Sequence, residues 1–240
     1  MAEAQIPAAT PTPATGPAPR AAFATERPLF VDFGCGRGDS MRVAEKIMRG
    51  PGAGIDISAE RVAAAREQGL DVVEGDVLAF EERNIATAAF ALDLVPELEG
   101  RRALETACAN MLRAATDFVI LQHLCFDSVE ALLARGVVAP DHLARAVRYR
   151  PRIADYVHFV QQFGARHEIV GFAAFGMGEV KVEPCGLSGL GGAMFAMLEN
   201  RPVYRSVRII MARKASARFQ TALRRAGTGD ALLIWEAPGS

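Results

Sequence analysis

Three alternating glycines that follow an acidic residue constrain the fold of this chain more than any other sequence feature. The run D-F-G-C-G-R-G extends from Asp32 to Gly38, follows the apolar run 29–31 and precedes a helical pattern that begins at Asp39. A strand, a tight glycine loop and a helix together form a place where a nucleotide-like ligand can lie against bare backbone. A dinucleotide fingerprint G-x-G-x-x-G that began at Gly34 would need its last glycine at position 39, which is an aspartate.

Two further strand-like runs also lead into acidic residues, each at the turn between a strand and the next helix. Asp56 lies 18 positions past the last loop glycine, close to the interval of about 20 residues expected for a ribose-binding acid. A carboxylate there can accept hydrogen bonds from both vicinal ribose hydroxyls. A third apolar stretch, 70–73, leads into E-G-D-V, which contains Asp76. Each acid taken alone is also typical of a solvated turn after a strand, but the repetition with Asp32 favours one shared ligand edge.

The pattern D-x-G-x-G-x-G, followed by these two acids, resembles motif I and its neighbours in the class I S-adenosylmethionine-dependent methyltransferases. The resemblance covers about residues 28–125 and implies S-adenosylmethionine as the cofactor. It implies that Asp76 meets the adenine amino group, that Val77 presents its N–H to the ring, and that backbone at Ala91 or Leu92 binds the methionine part. The implied cofactor-binding residues are Asp32, Gly34, Cys35, Gly36, Gly38, Asp56, Ile57, Asp76, Val77 and Leu92.

Alternating strand-like and helix-like segments follow the loop. Strands are predicted near 29–33, 53–57, 70–73, 87–92 and 117–123, helices near 40–49, 59–67 and 100–114, and two closing strands over 167–175 and 204–212. Repeated strand–helix units favour a mostly parallel sheet that binds ligands at the carboxyl ends of its strands. The resemblance implies a Rossmann-like α/β fold, with a seven-stranded sheet, helices on both faces and an antiparallel closing strand.

The chain is expected to form one methyltransferase domain between two flanking segments. Residues 1–26 are rich in Ala and Pro and predict a disordered tail. The domain would extend over 27–214 and contain a helical insertion, 128–164, that packs on the core or covers the substrate pocket. The glycine-rich segment 186–192 is either a ligand loop or a mobile connection. Residues 215–240 predict an amphipathic helix and a final apolar segment that docks on the sheet.

Composition and spacing exclude several classes. The formal charge of −1 argues against a nucleic-acid surface, which is normally basic. The four cysteines have no C-x-x-C spacing and no nearby paired histidines, so no metal site is predicted. No apolar run is long enough for membrane insertion, and the N-terminus lacks the pattern of a signal peptide, which predicts a cytoplasmic protein. Abundant Ala and Arg indicate a GC-rich bacterial genome. The oligomeric state is unknown.

The acceptor half of the chain gives weaker signals. His123 ends the fifth predicted strand on the ligand edge, so it is the first candidate for a catalytic base, although a hydrogen-bonded histidine at a strand end is an alternative. His158 is a weaker candidate, and Arg150 and Arg152 would suit an anionic acceptor or a solvated helix face. No N/D-P-P-aromatic motif follows the fourth strand, and Cys185 lies after the sixth strand, so methylation of nucleic-acid bases is not supported.

The predicted function is methyl transfer to a small-molecule or glycan-type substrate, at oxygen. The segments 201–205 and 123–127 look similar to bacterial methyltransferase-domain proteins associated with surface-glycan synthesis. One alternative is a non-catalytic binding or scaffold protein with the same fold, because Pro96 and Glu97 stand where many relatives carry a Glu-His pair. Another is a nicotinamide-dependent oxidoreductase, which Asp39 disfavours.

Overall fold

The chain folds around one mixed sheet flanked by helices. The computed structural model describes residues 23–129, 147–179, 203–214, 217–226 and 229–236. The strands are β1 Phe30–Phe33, β2 Gly52–Asp56, β3 Val72–Glu74, β4 Ala86–Leu92, β5 Ala115–Leu124, β6 Gly171–Glu179, β7 Tyr204–Ala212 and β8 Asp230–Glu236. The helices are α1 Asp39–Met48, α2 Ala59–Glu67, α3 Gly100–Ala114, α4 Ile153–Phe163 and α5 Ala217–Ala226, with 3₁₀ turns at Val95–Glu97 and Phe126–Ser128.

The strand order is β3-β2-β1-β4-β5-β7-β6-β8. Strands β1 to β5 pair in parallel, whereas β7 runs antiparallel to both of its neighbours and β8 runs antiparallel to β6. The chain moves outwards from β1 to β3 and then returns to place β4 on the other side of β1. This reversal opens a crevice at the carboxyl ends of β1 and β4, where open α/β sheets bind ligands.

The predicted α/β fold class is confirmed, and the sheet has one strand more than the seven predicted. The extra strand is β8, the apolar segment that was expected to dock on the sheet, and it pairs along the free side of β6. The first closing strand begins at Gly171 instead of position 167 because a turn precedes it, in which Glu168 has a φ of 56°.

Both faces of the central strands are buried, which explains why β1 is apolar at almost every position. Phe30 packs on one face with residues of α1 and α2, and Val31 and Phe33 pack on the other face with residues of α3 and α4. Asp32 alternates onto the same face as Phe30. The acidic residue before the glycine loop therefore lies beneath α1, where it has no access to solvent.

Helix α4 lies inside the predicted insertion, 128–164, and packs onto the core as its helical periodicity indicated. Tyr156 and Phe159 are buried, and the partly buried apolar residues of the same helix pack against the core cluster that lies between the sheet and α3. No helix of the described ranges has both the length and the apolar character needed to cross a membrane.

Several sequence predictions fall outside the described ranges. These are residues 1–22 of the predicted tail, the part of the insertion at 130–146, and the segment 180–202 with its glycine-rich run and Cys185. The last residues of the predicted tail are described, and they contact the domain: the N–H groups of Ala24 and Thr25 donate to the carboxylate of Asp71. The division of the chain into three segments stays a prediction.

A glycine beneath an aromatic ring provides a test of the packing around β1. A Cβ at position 52 would lie 2.1 Å from Cζ of the buried Phe30, which itself packs edge-on against Phe90. We expect Gly52→Ala to lower the free energy of unfolding by about 1–3 kcal/mol, because overpacking a rigid core forces neighbouring groups to move. Urea denaturation measures this change.

The matched control is Gly171→Ala, also at the start of a strand, where the added Cβ would lie 3.6 Å from Cβ of Ala212, in ordinary contact. We expect that variant to unfold like the wild type or at slightly higher urea concentration. Equal destabilisation by the two substitutions would contradict the packing described here.

Candidate functional site

A cavity of about 760 Å³ lies in the crevice at the carboxyl ends of the parallel strands. Its volume is within the range usual for small-molecule and cofactor sites. Its walls come from the ends of β1, β2 and β4 and from the turns that follow β3 and β4. The lining residues are Gly34, Ile55, Asp56, Ile57, Arg61, Gly75, Asp76, Val77, Leu78, Leu92, Asp93, Leu94, Glu97, Leu98, Glu99 and Arg148.

The glycine loop is fastened to the end of β2 by three consecutive N–H groups. Those of Gly34 and Cys35 donate to the carbonyl oxygen of Ile55, at 2.7 and 3.1 Å, and that of Gly36 donates to Oδ2 of Asp56 at 2.8 Å. Gly34 and Gly36 both have positive φ, of 71° and 57°, which lets the chain turn tightly enough to make these bonds. The loop is therefore pre-formed.

The carboxylate of Asp56 is held from two sides. Oδ2 accepts from the loop, and Oδ1 accepts from the N–H of Ser58 at 2.9 Å, while the hydroxyl oxygen of Ser58 accepts from the N–H of Arg61 at the start of α2. Only 3% of Asp56 is exposed, yet it lines the cavity. A fixed carboxylate with remaining acceptor capacity faces whatever ligand occupies the cavity.

The three loop glycines are required for different reasons. A Cβ at Gly34 would lie 2.8 Å from Cδ1 of Leu94, and one at Gly38 would lie 2.0 Å from Cδ1 of Leu70. A Cβ at Gly36 would meet no protein atom within 4 Å. Gly34 and Gly38 therefore leave room for neighbouring side chains, whereas Gly36 keeps open a space that the protein itself does not fill.

Asp32 lies fully buried behind the loop. Its Oδ2 accepts a hydrogen bond from the hydroxyl of Ser40, and its Oδ1 has no partner among the described residues. Burial raises the pKa of this carboxyl to about 7, because a charged group loses its hydration there; the bond from Ser40 opposes the rise and the charge of Asp56 adds to it.

The turn after β3 supplies the opposite wall of the cavity. Oδ1 of Asp76 accepts from the N–H of Leu78 at 2.8 Å, which fixes the turn, and Val77 lines the cavity beside it. Ile57 is 69% exposed at the rim, an unusual position for a large apolar residue in this well-packed chain. Ile57 and Val77 can pack on a flat ring while Asp76 binds its polar edge.

Sequence reasoning assigned no ligand-binding residue to the segment 93–99, which forms the third wall. Asp93 has a φ of 65°, and its N–H donates to the carbonyl of Gln122 at 2.7 Å. Partial burial raises the pKa of its carboxyl, and the nearby charge of Glu97 adds to the rise. Aspartate tolerates the left-handed conformation better than most residues, but no spacing in the sequence indicated that this one would reach the cavity.

Arg148 also lines the cavity, although it is distant in sequence from the other walls. Its backbone N–H donates to the carbonyl of Pro96 at 2.9 Å, and its guanidinium pairs with Glu99 at 3.1 Å. Both side chains are largely exposed, so the pair marks the solvent side of the cavity. Only the fold brings residue 148 to this place, and no local motif marks it.

The structure brings six of the ten predicted cofactor residues to the cavity wall. The six are Gly34, Asp56, Ile57, Asp76, Val77 and Leu92. The other four, Asp32, Cys35, Gly36 and Gly38, belong to the loop but do not line the cavity. The thiol of Cys35 is buried beneath the loop, close to Gly54, and burial raises its pKa. Its side chain contributes to packing.

His123, the predicted base, does not line the cavity. Its Nδ1 lies 2.7 Å from the carbonyl oxygen of Leu124 and its Nε2 lies 2.7 Å from the hydroxyl of Tyr156, with which its ring stacks. The carbonyl can only accept, so Nδ1 carries the proton and Nε2 accepts from Tyr156. Burial lowers the pKa of His123 to about 4. Both nitrogens of this fully buried ring are already occupied, which indicates a structural role.

The weaker acceptor-binding candidates also lie away from the cavity. His158, Arg150 and Arg152 are described but do not line it. Arg152 precedes α4, and its backbone N–H donates to the carboxylate of Asp155 in the first turn of that helix. These positions favour the interpretation of the arginines as part of the helix surface.

Comparison with known proteins identifies the fold. The chain is similar to a SAM-dependent methyltransferase from Archaeoglobus fulgidus, with a TM-score of 0.56 at 14% identity over 78% of this chain and 86% of that chain. It is also similar to a Thermotoga maritima methyltransferase described as a possible histamine N-methyltransferase, with a TM-score of 0.52 at 15% identity over 77% of this chain and 81% of that chain. A third similar structure is the plantazolicin methyltransferase in complex with S-adenosylhomocysteine, with a TM-score of 0.52 at 14% identity over 77% of this chain and 76% of that chain. No protein-family model and no curated protein matches the chain. The protein has the class I SAM-dependent methyltransferase fold.

The buried carboxyl of Asp32 predicts a pH-dependent stability. Its pKa is about 7 in the folded protein against 3.8 without burial, so the folded state holds the proton more tightly. The wild type should therefore lose stability as pH rises from about 4 to about 7, while Asp32→Asn, which cannot ionise, should lose less. Urea unfolding of both proteins at pH 5 and pH 8 measures the difference. The same change with pH in both would contradict the shift.

Proposed function

We propose that this protein is an S-adenosylmethionine-dependent methyltransferase. The observation that carries the proposal is the carboxylate of Asp56, fixed by the N–H groups of Gly36 and Ser58 at the wall of a cavity of about 760 Å³. The cavity lies at the reversal of strand order, where this fold binds its ligand. The open space beside Gly36, in the loop next to this cavity, agrees with a ligand that approaches the glycine loop.

The residues present fit this cofactor. Asp56 would accept hydrogen bonds from the ribose hydroxyls, Ile57 and Val77 would pack against adenine, and Asp76 would accept from the adenine amino group. The end of β4 at Leu92 and the glycine loop would enclose the methionine part. When bound, the cofactor supplies a methyl group on a positively charged sulfur, which is electrophilic without a metal.

We propose a small-molecule or glycan-type acceptor that is methylated at oxygen. The names of similar structures mention histamine and plantazolicin, so support for the acceptor must come from this chain's own residues. The wall beyond the end of β4 combines Asp93 and Glu97 with Leu94 and Leu98. This mixture of carboxylates and apolar side chains suits hydroxyl groups on a compact carbon framework.

Asp93 is the side chain best placed to take a proton from such an acceptor. It lines the cavity directly after β4, where a general base must lie to reach the acceptor, and loss of hydration and the charge of Glu97 raise its pKa. The acceptor oxygen would keep the electron pair with which it attacks the methyl carbon. The backbone of Asp93 has the left-handed conformation, and its N–H donates to the carbonyl oxygen of Gln122. Alignment of the acceptor would supply most of the remaining rate enhancement.

Calorimetric titration with S-adenosylhomocysteine, with NADH as the control ligand, tests the proposal. Micromolar binding of S-adenosylhomocysteine alone would support it and would justify an acceptor screen with a labelled methyl donor. Binding of NADH alone would favour the oxidoreductase alternative. Cofactor binding without turnover on any acceptor pool would favour a non-catalytic protein with this fold.

We expect Asp56→Ala to weaken S-adenosylhomocysteine binding by about 1–3 kcal/mol, the usual cost of leaving buried polar partners unpaired. The matched control is Glu60→Ala, which removes the same charge from the exposed start of α2, where the side chain pairs with the exposed Arg37. Titration of the two folded variants should show a loss for the first alone. Unchanged affinity of the Asp56 variant would remove its ribose role.

We expect Asp93→Asn to reduce kcat by about 100-fold or more with any hydroxyl acceptor found in the screen, while S-adenosylhomocysteine affinity stays the same. Asparagine tolerates positive φ, so the loop should keep its shape. His123→Gln should instead lower the melting temperature and leave kcat nearly unchanged, because His123 contacts Tyr156 and Leu124 and not the cavity. A fall in kcat with His123→Gln but not with Asp93→Asn would reverse the assignment.

A further inference from the structure

A second cavity lies at the opposite edge of the sheet, and four of its eight lining residues are arginines. Its volume is about 380 Å³, and its lining residues are Arg83, Asn84, Leu112, Arg113, Arg166, His167, Glu168 and Arg213. These residues precede β4, β5 and β6 or follow the antiparallel β7, so they lie at the amino ends of the parallel strands. The seven residues of β4 separate this edge from the cofactor cavity by about 20 Å.

Two of the four arginines are anchored by the fold. Arg213 donates to the carbonyl oxygens of Leu112 and Ala115, at 3.1 and 2.8 Å, and pairs with Glu168 at 2.6 Å. Arg113 donates to Oδ1 of Asn110 at 3.0 Å. These contacts hold two guanidinium groups in fixed positions at the base of the cavity.

The other two arginines, Arg83 and Arg166, have no such anchors. Both are exposed, and neither makes a hydrogen bond or ion pair with a described residue. They approach from different segments of the chain, one before β4 and one after α4. Two free guanidinium groups beside two fixed ones form an arrangement that can close around an anion.

The charge of the cavity is not balanced by its own residues. Four arginines face a single carboxylate, Glu168, which is already paired with Arg213. The Nε–H of Arg213 is buried without an acceptor among the described residues. Burial lowers the pKa of His167, and the positive charges of Arg166, Arg113 and Arg213 lower it further. The site therefore has positive potential and an unsatisfied donor, which an anion would offset.

An adjoining cavity of about 370 Å³ shares Arg113, Arg166 and His167 with the first. Its other lining residues are Arg102, Glu105, Thr106, Ala109, Phe159 and Phe163, and the ring of Phe159 stacks with that of His167. The carboxylate of Glu105 pairs with Arg101 at 3.1 Å. Phe159 and Phe163 of α4 therefore give this mostly polar cavity an apolar wall beside the arginine cluster. The pair of cavities suits a ligand with a charged group at one end and an organic body at the other.

We propose that these two cavities form a second ligand site, which binds an organic phosphate. The phosphate would lie among Arg83, Arg113, Arg166 and Arg213, because the planar guanidinium fork matches phosphate oxygens in charge and geometry. The organic part would lie against Phe159 and Phe163. The site is independent of the proposed methyl transfer, since it shares no lining residue with the cofactor cavity.

Calorimetric titration of the full chain with phenyl phosphate and with inorganic phosphate tests this site. We expect both to bind, phenyl phosphate several-fold more tightly because its ring has a compartment to enter. Binding of either should raise the pKa of His167, followed by NMR, because an added anion offsets the neighbouring arginines. No binding of either compound, or a His167 signal that does not respond, would overturn the proposal.

The double variant Arg83→Gln/Arg166→Gln removes only the two unanchored arginines, so it should fold normally. We expect it to bind phenyl phosphate at least tenfold more weakly, whereas the charge-matched variant Arg205→Gln/Arg224→Gln, which changes exposed arginines elsewhere, should bind like the wild type. Equal losses in both variants would indicate a general charge effect and contradict a built site.

A competition experiment separates this site from the cofactor cavity. Saturating S-adenosylhomocysteine should leave phenyl phosphate affinity unchanged, and the arginine double variant should keep its affinity for S-adenosylhomocysteine. Displacement of phenyl phosphate by S-adenosylhomocysteine would place the anion in the cofactor cavity and refute the proposal. Preferential binding of duplex RNA over phenyl phosphate, lost in the same variant, would also refute it.

Discussion

The hydrogen bonds between the glycine loop and the end of β2 are the interactions on which the cofactor cavity depends. The N–H of Gly36 fixes the carboxylate of Asp56, and the carbonyl of Ile55 accepts from the N–H groups of Gly34 and Cys35. One set of contacts thus shapes the loop, orients the acid and, through Ser58, begins the next helix. The loop N–H groups are used inside the protein, so we infer that the loop contributes to binding mainly through its shape and through the acid that it positions.

The part of the site built from local patterns could be predicted from the sequence. The glycines and Asp56 obey spacings set by backbone geometry, and a strand followed by a turn places Asp76 at the same sheet edge. The eight-stranded sheet was nearly predictable for the same reason. The extra strand β8 was not, because a short apolar segment near the chain end can dock as a strand or as a loop, and only the free side of β6 decides between them.

The part of the site built from long-range contacts could not be predicted. Asp93 reaches the cavity because Gln122 of the neighbouring strand holds its backbone, and Arg148 reaches it through a bond to Pro96. His123 shows the opposite error. It lies near the end of β5, at the sheet edge that binds ligands. Tyr156, from a helix 33 residues later, stacks on its ring and forms a hydrogen bond with its Nε2. A strand end thus fixes the position of a side chain but not its exposure.

The distribution of charge on the surface also could not be predicted from the sequence. A formal charge of −1 excludes a protein that is basic throughout, but it carries no information about how the charges are placed. The arginines at positions 83, 113, 166 and 213 come from four separate segments, and the two nearest in the sequence, Arg83 and Arg113, are 30 positions apart. The fold gathers them at the amino ends of the strands, while the acids of the cofactor cavity gather at the carboxyl ends. Opposite charges at the two edges of one sheet allow two ligands of different chemistry to bind without competing, because about 20 Å of buried strand lies between them.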